Sequence, residues 1–379
     1  MDRRIKSRIP KYILLVALIG VLFFASVVPA CAAESDLTEA EAVYSELYDA
    51  LDDQTEEALE EIGIASGSYE ELSSLSPRKV VTAILDILNG KAAQPLRCIG
   101  FVCAFLVLGA AADGFLEKKE TIRTVFSLFC VLWIVLTVLQ PITESIAQAL
   151  SAVELGADFL FAYIPAFAGV IAMSGKPLLS AAYSSVMLGL SNLLSFINGK
   201  ALLPLVQVFF LLHIVSSLHE KYAFDSIAAF LKRAVCIVLG FGSTIFTGLL
   251  SIKGALAASG DSVTVRGVKM LVSGTLPVVG STLSEAYTSV LGSMGLIQNA
   301  VGVFGIIVIV LMHLPVILEL LLWYLALMFA AAIGGVLGQT QVKKLLEGIA
   351  ATVSLVNIFV IFNGFLLVIS TGVILQFKG

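Results

Sequence analysis

Charged side chains are scarce: Asp, Glu, Lys and Arg make up 13% of the 379 residues, about half the share of a soluble domain. That scarcity rules out a water-exposed surface over most of the chain. With no basic patch, a nucleic-acid-binding face is also excluded. The five cysteines (Cys31, Cys98, Cys103, Cys130 and Cys236) have no paired spacing, and four sit in apolar runs, where cysteine serves as a small packing residue. No CxxC pair or Cys/His ligand set occurs, so neither a metal site nor a cofactor is expected. GxSxG, HExxH, a Walker loop and a GxGxxG following a strand pattern are missing too, and the three histidines are scattered. With no catalytic constellation, the chain reads as a non-enzyme.

What fills the sequence instead is hydrophobic: 58% of residues, with a mean hydropathy of +0.99. The apolar stretches reach spanning length and lack strand alternation. They predict an all-α polytopic membrane protein of about seven to nine transmembrane or re-entrant helices, with the lipid bilayer as its first partner.

At the N-terminus Arg3, Arg4, Lys6, Arg8 and Lys11 flank an apolar core, Tyr12 to Val28, and Ala30-Cys31-Ala32 supplies small residues for cleavage. This is a signal-peptide pattern over residues 1–33; an uncleaved first helix is the other reading. Residues 34–94 follow as an acidic extracytoplasmic segment. Between Glu34 and Glu71 stand fourteen acidic residues and no Lys or Arg, while the rest of the chain is slightly basic. Leu37, Val43, Leu47, Leu51, Leu59 and Ile62 predict one or two short amphipathic helices there; a solvated stalk is the alternative.

Basic residues set the direction of threading. A first transmembrane pair, 95–140, holds spans at 96–112 and 124–139, and the loop between them carries Lys118, Lys119 and Arg123, so it faces the cytoplasm. The connection 141–158 carries Glu144, Glu154 and Asp158 and no basic residue, so it is external. Membrane repeat unit 1 (159–252), an interfacial connection (253–269) in which Asp261 is placed to cap an amphipathic helix, and repeat unit 2 (270–376) complete the plan. Val301 to Leu337 is a mostly apolar stretch of 37 residues, about 55 Å as helix against a core of ~30 Å. Two spans breaking near Pro315, or one long helix, would fit it; the arrangement that keeps Lys343 and Lys344 cytoplasmic is favoured.

The duplication rests on matched segments: Ser180-Ala-Ala-Tyr183-Ser-Ser185-Val186-Met-Leu-Gly189 and Ser284-Glu-Ala-Tyr287-Thr-Ser289-Val290-Leu-Gly292. Each follows a Pro/Gly-broken apolar stretch and leads to an apolar run ending in histidine, Val208 to His213 and Val308 to His313. A fixed order of elements repeated within a hydrophobic chain suggests a doubled membrane unit; chance likeness of two Ser/Ala/Leu-rich helices is the other account. His213 and His313 are candidate functional residues, with Glu319 placed to face His313 or a pore, and Asn192 and Asn299 among the intramembrane polar groups. Such groups line a conduit or hold helices together.

The run Phe230-Leu-Lys-Arg-Ala … Gly240 … Phe246-Thr-Gly-Leu-Leu-Ser-Ile-Lys-Gly254-Ala … Asp261-Ser-Val-Thr-Val-Arg266 … Lys269 … Leu276-Pro-Val-Val-Gly280 … Leu283-Ser-Glu-Ala … Val290-Leu-Gly292 … Asn299-Ala-Val-Gly302-Val-Phe-Gly305 resembles the stage III sporulation protein AE family of endospore-forming bacteria. The resemblance covers roughly Phe159 to Leu375 and leaves the acidic segment unmatched. It implies a non-enzymatic multi-pass component of the mother-cell membrane around the forespore. Its implied partners are the other stage III sporulation A-operon proteins and a forespore-side channel partner, in a channel or secretion-like complex needed for forespore development. It carries over no catalytic residues. A secondary transporter or permease built on the doubled unit is the competing function.

Overall fold

The computed structural model describes residues 43, 45–49, 51–62, 64, 77–115, 120–218, 224–275 and 280–377. The signal-peptide pattern, much of the acidic segment, and Lys118, Lys119 and Lys221 lie outside the described residues.

The described residues are helical almost throughout: α1 (Asp53–Ile62), α2 (Pro77–Phe115), α3 (Glu120–Met173), α4 (Pro177–Phe196), a π-helical turn (Ile197–Leu202), α5 (Leu203–Leu218), α6 (Phe224–Thr275), α7 (Gly280–Val336) and α8 (Thr340–Leu375). Six segments are long and apolar enough to cross a membrane: 82–112, 132–173, 177–196, 226–273, 281–336 and 340–375; 204–216 is a shorter apolar helix. The chain is a multi-pass, all-helical membrane protein.

Several helices far exceed a bilayer. α3, α6 and α7 hold 54, 52 and 57 residues, about 80 Å each at 1.5 Å per residue, whereas lipid covers ~30 Å. The expected connection 141–158 lies inside α3, and Val301 to Val336 lies inside the single helix α7. Pro95, Pro141, Pro165 and Pro315 all sit within helices, a placement tolerated in membrane bundles because neighbouring groups re-satisfy the freed backbone.

Burial explains how such long rods hold together. One core gathers Phe159 to Ile171 of α3, Leu179 to Leu194 of α4, Leu250 of α6, Ile297 to Met312 of α7 and Leu366 to Ile374 of α8. A second gathers Cys98 to Leu106 of α2, Ile134 to Val153 of α3, Leu202 and Val206, Leu239 of α6, Leu320 to Ala331 of α7 and Val342 to Val360 of α8. Read along the chain, successive rods pass from one core to the other in alternating directions, which makes an up-and-down antiparallel bundle of two stacked layers.

The turns Ser174–Lys176 and Leu337–Gln339 use one device. Gly175 (φ 78°) and Gly338 (φ 77°) take the left-handed conformation. Lys176 and Gln339 donate back to the carbonyls of Ile171 and Gly334 at 3.3 and 2.9 Å. This is a glycine-closed helix end.

The acidic segment belongs to the first layer. Leu47, Leu59 and Ile64 are fully buried in the first core, with Val43, Tyr48 and Leu51 packed against it. The expected amphipathic pattern thus forms and docks. A freely solvated stalk does not fit the described residues of this segment, because Leu47, Leu59 and Ile64 are buried and α1 packs on α2 and α7.

Candidate functional site

The polar residues with most at stake lie on α7, which contacts most of the bundle. Glu319 is 5% exposed. One carboxylate oxygen accepts a hydrogen bond from Ser145 Oγ of α3 at 2.6 Å, and the other lies 2.9 Å from Lys91 Nζ of α2. An unpaired carboxylate buried at this depth costs several kcal/mol, so the site forms only with all three helices in register. Lys91 stands five residues before the expected span 96–112 and Ser145 six beyond 124–139, so both helices place the clamp at one level. It is a fixed charge pair joining the two layers.

Glu319 does not meet His313. Six residues along a helix is a rotation of about 600°, which turns the two side chains to different faces. His313, 2% exposed, sits between two glycines from other helices. A Cβ at Gly156 of α3 would lie 2.9 Å from Cε1, and one at Gly364 of α8 would lie 3.1 Å from Cγ. Its Nδ1 is 2.8 Å from the carbonyl oxygen of Ile309, which can only accept, so Nδ1 carries the proton.

His213 repeats part of this arrangement. It packs on Gly348 of α8, where a Cβ would lie 2.6 Å from its own Cβ, and edge-on to Phe209 at 4.8 Å between centroids. Both histidines therefore dock against α8 at glycines sixteen residues apart. Asn192 is exposed on α4 and donates to the carbonyl of Leu188 at 2.8 Å. Asn299 is half-buried on α7. The structure therefore does not gather the five candidate residues into one site.

A second polar cluster escaped the sequence reading. Asp261, 2% exposed, lies mid-way along α6 and accepts the backbone N–H groups of Leu178 and Leu179 at 2.9 and 2.8 Å. Asp261 does not cap its own helix as expected, because it lies far from that helix's start; its carboxylate instead reaches the exposed amides and positive dipole end of α4. Beside it, Lys176 Nζ donates to Gln298 Oε1 at 3.3 Å and to the Phe377 carbonyl at 3.0 Å. Burial pushes the Lys176 ammonium below the usual lysine range, and the Asp261 charge acts the other way. The signal for this cluster was available: an acid in an apolar run with Lys176 at a helix turn.

The interior is filled rather than open. Trp323, Tyr163, Tyr183, Phe159, Phe167, Phe209 and Phe304 are the largest fully buried side chains. Phe159, Tyr163 and Phe167 stack in series at 5.4 and 5.3 Å, and Tyr183 meets Phe167 edge-on at 5.3 Å. Tyr163 lies against Gly305. Among the described residues no group of three His, Cys, Asp or Glu could hold a metal ion.

The family model described as stage III sporulation protein AE matches residues 69–377. The chain belongs to that family. It is 27% identical over 243 residues to stage III sporulation protein AE of Bacillus subtilis (strain 168), which is 62% of this chain and 60% of that protein. The match thus spans under two thirds of the relative's length. No solved structure matches the chain. Family membership places it among sporulation proteins, and the Lys91–Glu319 clamp, His313 and Asp261 all fall inside the matched region.

Proposed function

We propose that the chain is a non-catalytic, integral component of a channel or secretion-like complex between mother cell and forespore. Its partners would be the other stage III sporulation proteins and a forespore-side channel protein. The single observation that carries this reading is the family match over residues 69–377. The aromatic-filled interior supports it, because among the described residues Tyr163, Phe167 and Trp323 pack the bundle centre with side chains.

The reading places the chain in the mother-cell membrane around the forespore. The second layer lies at the cytoplasmic side, where Lys343 and Lys344 stand at the start of α8 and Lys232 and Arg233 near the start of α6. The first layer, with the acidic arm, lies outside. In a cysteine-free background, an impermeant thiol reagent added from outside should label a cysteine at Ser35 and not one at Lys118; the reverse result overturns the orientation.

The functional test is reconstitution. Liposomes carrying the purified chain alone should be no leakier than empty ones, and permeability should arise only with its sporulation partners. Solute uptake by the chain alone would replace the complex with a permease.

A further inference from the structure

α6 carries apolar surface that lipid cannot account for. Its exposed large side chains run from Ile227 to Met270, a rise of about 65 Å. A bilayer of ~30 Å covers less than half of that. Past the uncharged stretch Ala234–Ile252, Leu256, Val263 and Met270 are still 70%, 71% and 78% exposed. On the neighbouring α7, Leu283 and Val290 are 50% and 55% exposed.

The reason lies in where the other helices stop. Leu375 of α8 lies against Gly302 of α7, and Phe377 against Gly254 of α6. The α3–α4 turn reaches further: Leu178 packs on Gly260, and Gly175 on Leu291. Past that level α6 and α7 continue for another eleven to fifteen residues, to Thr275 and from Gly280, so a two-helix tip of roughly 20 Å projects from the bundle.

On the α6 side of this tip the charges are basic, Arg266 exposed and Lys269 half-buried, with Lys253 exposed just below; Asp261 is consumed at the start of α4, and Glu285 on α7 is the one exposed acid among the described residues of the tip. The opposite charge stands in the acidic arm, where Glu46, Asp49, Glu57 and Glu60 are exposed. Within one chain that arm packs on α2 and α7. Apolar surface beyond lipid reach and complementary charge on separate elements of the same layer fit a partner with this chain's own sequence.

We propose that copies of this chain associate head to tail, the acidic arm (residues 43–64) of one docking on the α6–α7 tip of the next. Such a contact joins two different surfaces, so it closes into a ring when the rotation permits. The inference holds whether or not the assembly conducts.

The test uses the full chain in detergent and in lipid nanodiscs, with mass measured by native mass spectrometry at low and high salt. Multimers that dissociate as salt rises are expected, because exposed charge pairs are screened beyond about 10 Å at 0.1 M. Reversing the tip (Arg266→Glu with Lys269→Glu) should abolish the multimer at unchanged helical content. Adding Glu57→Lys with Glu60→Lys in the same chain should restore it, and cysteines at Val263 and Glu57 should crosslink between copies. A chain monomeric under all conditions, a multimer indifferent to the tip reversal, or association only after adding another sporulation protein would each overturn the proposal.

Discussion

Two stretches with nearly the same sequence meet opposite fates in this fold. Tyr183 and Val186 of the first, in α4, are 0% and 6% exposed, flanked by α3 and α6. Val290, the counterpart of Val186 in α7, is 55% exposed. The difference is one of neighbours. The first stretch has rods on both sides, whereas the second begins where α8 has already ended. A motif of small and apolar residues thus specifies a packable helix face and leaves its partner to topology.

The comparison can be broken most sharply by charge. Val186→Asp should prevent stable folding or cost about 4 kcal/mol or more, since it buries an unpaired carboxylate. Val290→Asp should shift stability by less than about 0.5 kcal/mol in the isolated chain. Thermal unfolding in detergent decides, and equal losses would refute the difference in burial.

The second stretch belongs to a rod with a clamp that the first lacks, because the residue six beyond His213 is His219 whereas His313 is followed by Glu319. Lys91→Met should cost about 1–2 kcal/mol, less than for a fully buried pair because Lys91 is 40% exposed, and the further change Glu319→Gln should recover most of it. A double variant no better than the single would show that the pair is not coupled.

The histidines test likeness rather than contrast. Gly348→Ala and Gly364→Ala should each cost about 1–3 kcal/mol, because the added methyl meets His213 or His313. Matching losses sharpen the parallel between the two units; a neutral Gly364→Ala would remove it. The smallest effect is expected from Asp261→Asn, about 1 kcal/mol, which keeps the shape at the start of α4 but loses the charge.

The sequence was most legible where periodicity and length speak directly. Uninterrupted apolar runs announced the spanning helices, and Leu47, Leu51 and Leu59 announced the amphipathic arm. Helix ends were harder. Residues 141–158 look like a loop because Glu144, Glu154 and Asp158 are charged, yet all three lie on the exposed side of α3 while Ser145, Ala149, Ala152 and Val153 fill the buried side. Polar residues on one face do not end a helix that continues past the lipid. Candidate site residues were legible as buried polar groups but not as pairs. Glu319 needs a cation, and nothing along one strand of sequence says that Lys91, more than two hundred positions away, supplies it.

Leu47 and Leu59 of the amino-terminal arm share a hydrophobic core with Ile374, close to the carboxyl end. The arm and the end of α8 therefore belong to one layer. Halves of a divided fluorescent protein, one inserted directly before the arm and one fused to the carboxyl end, would find each other within a single molecule and glow in only one compartment.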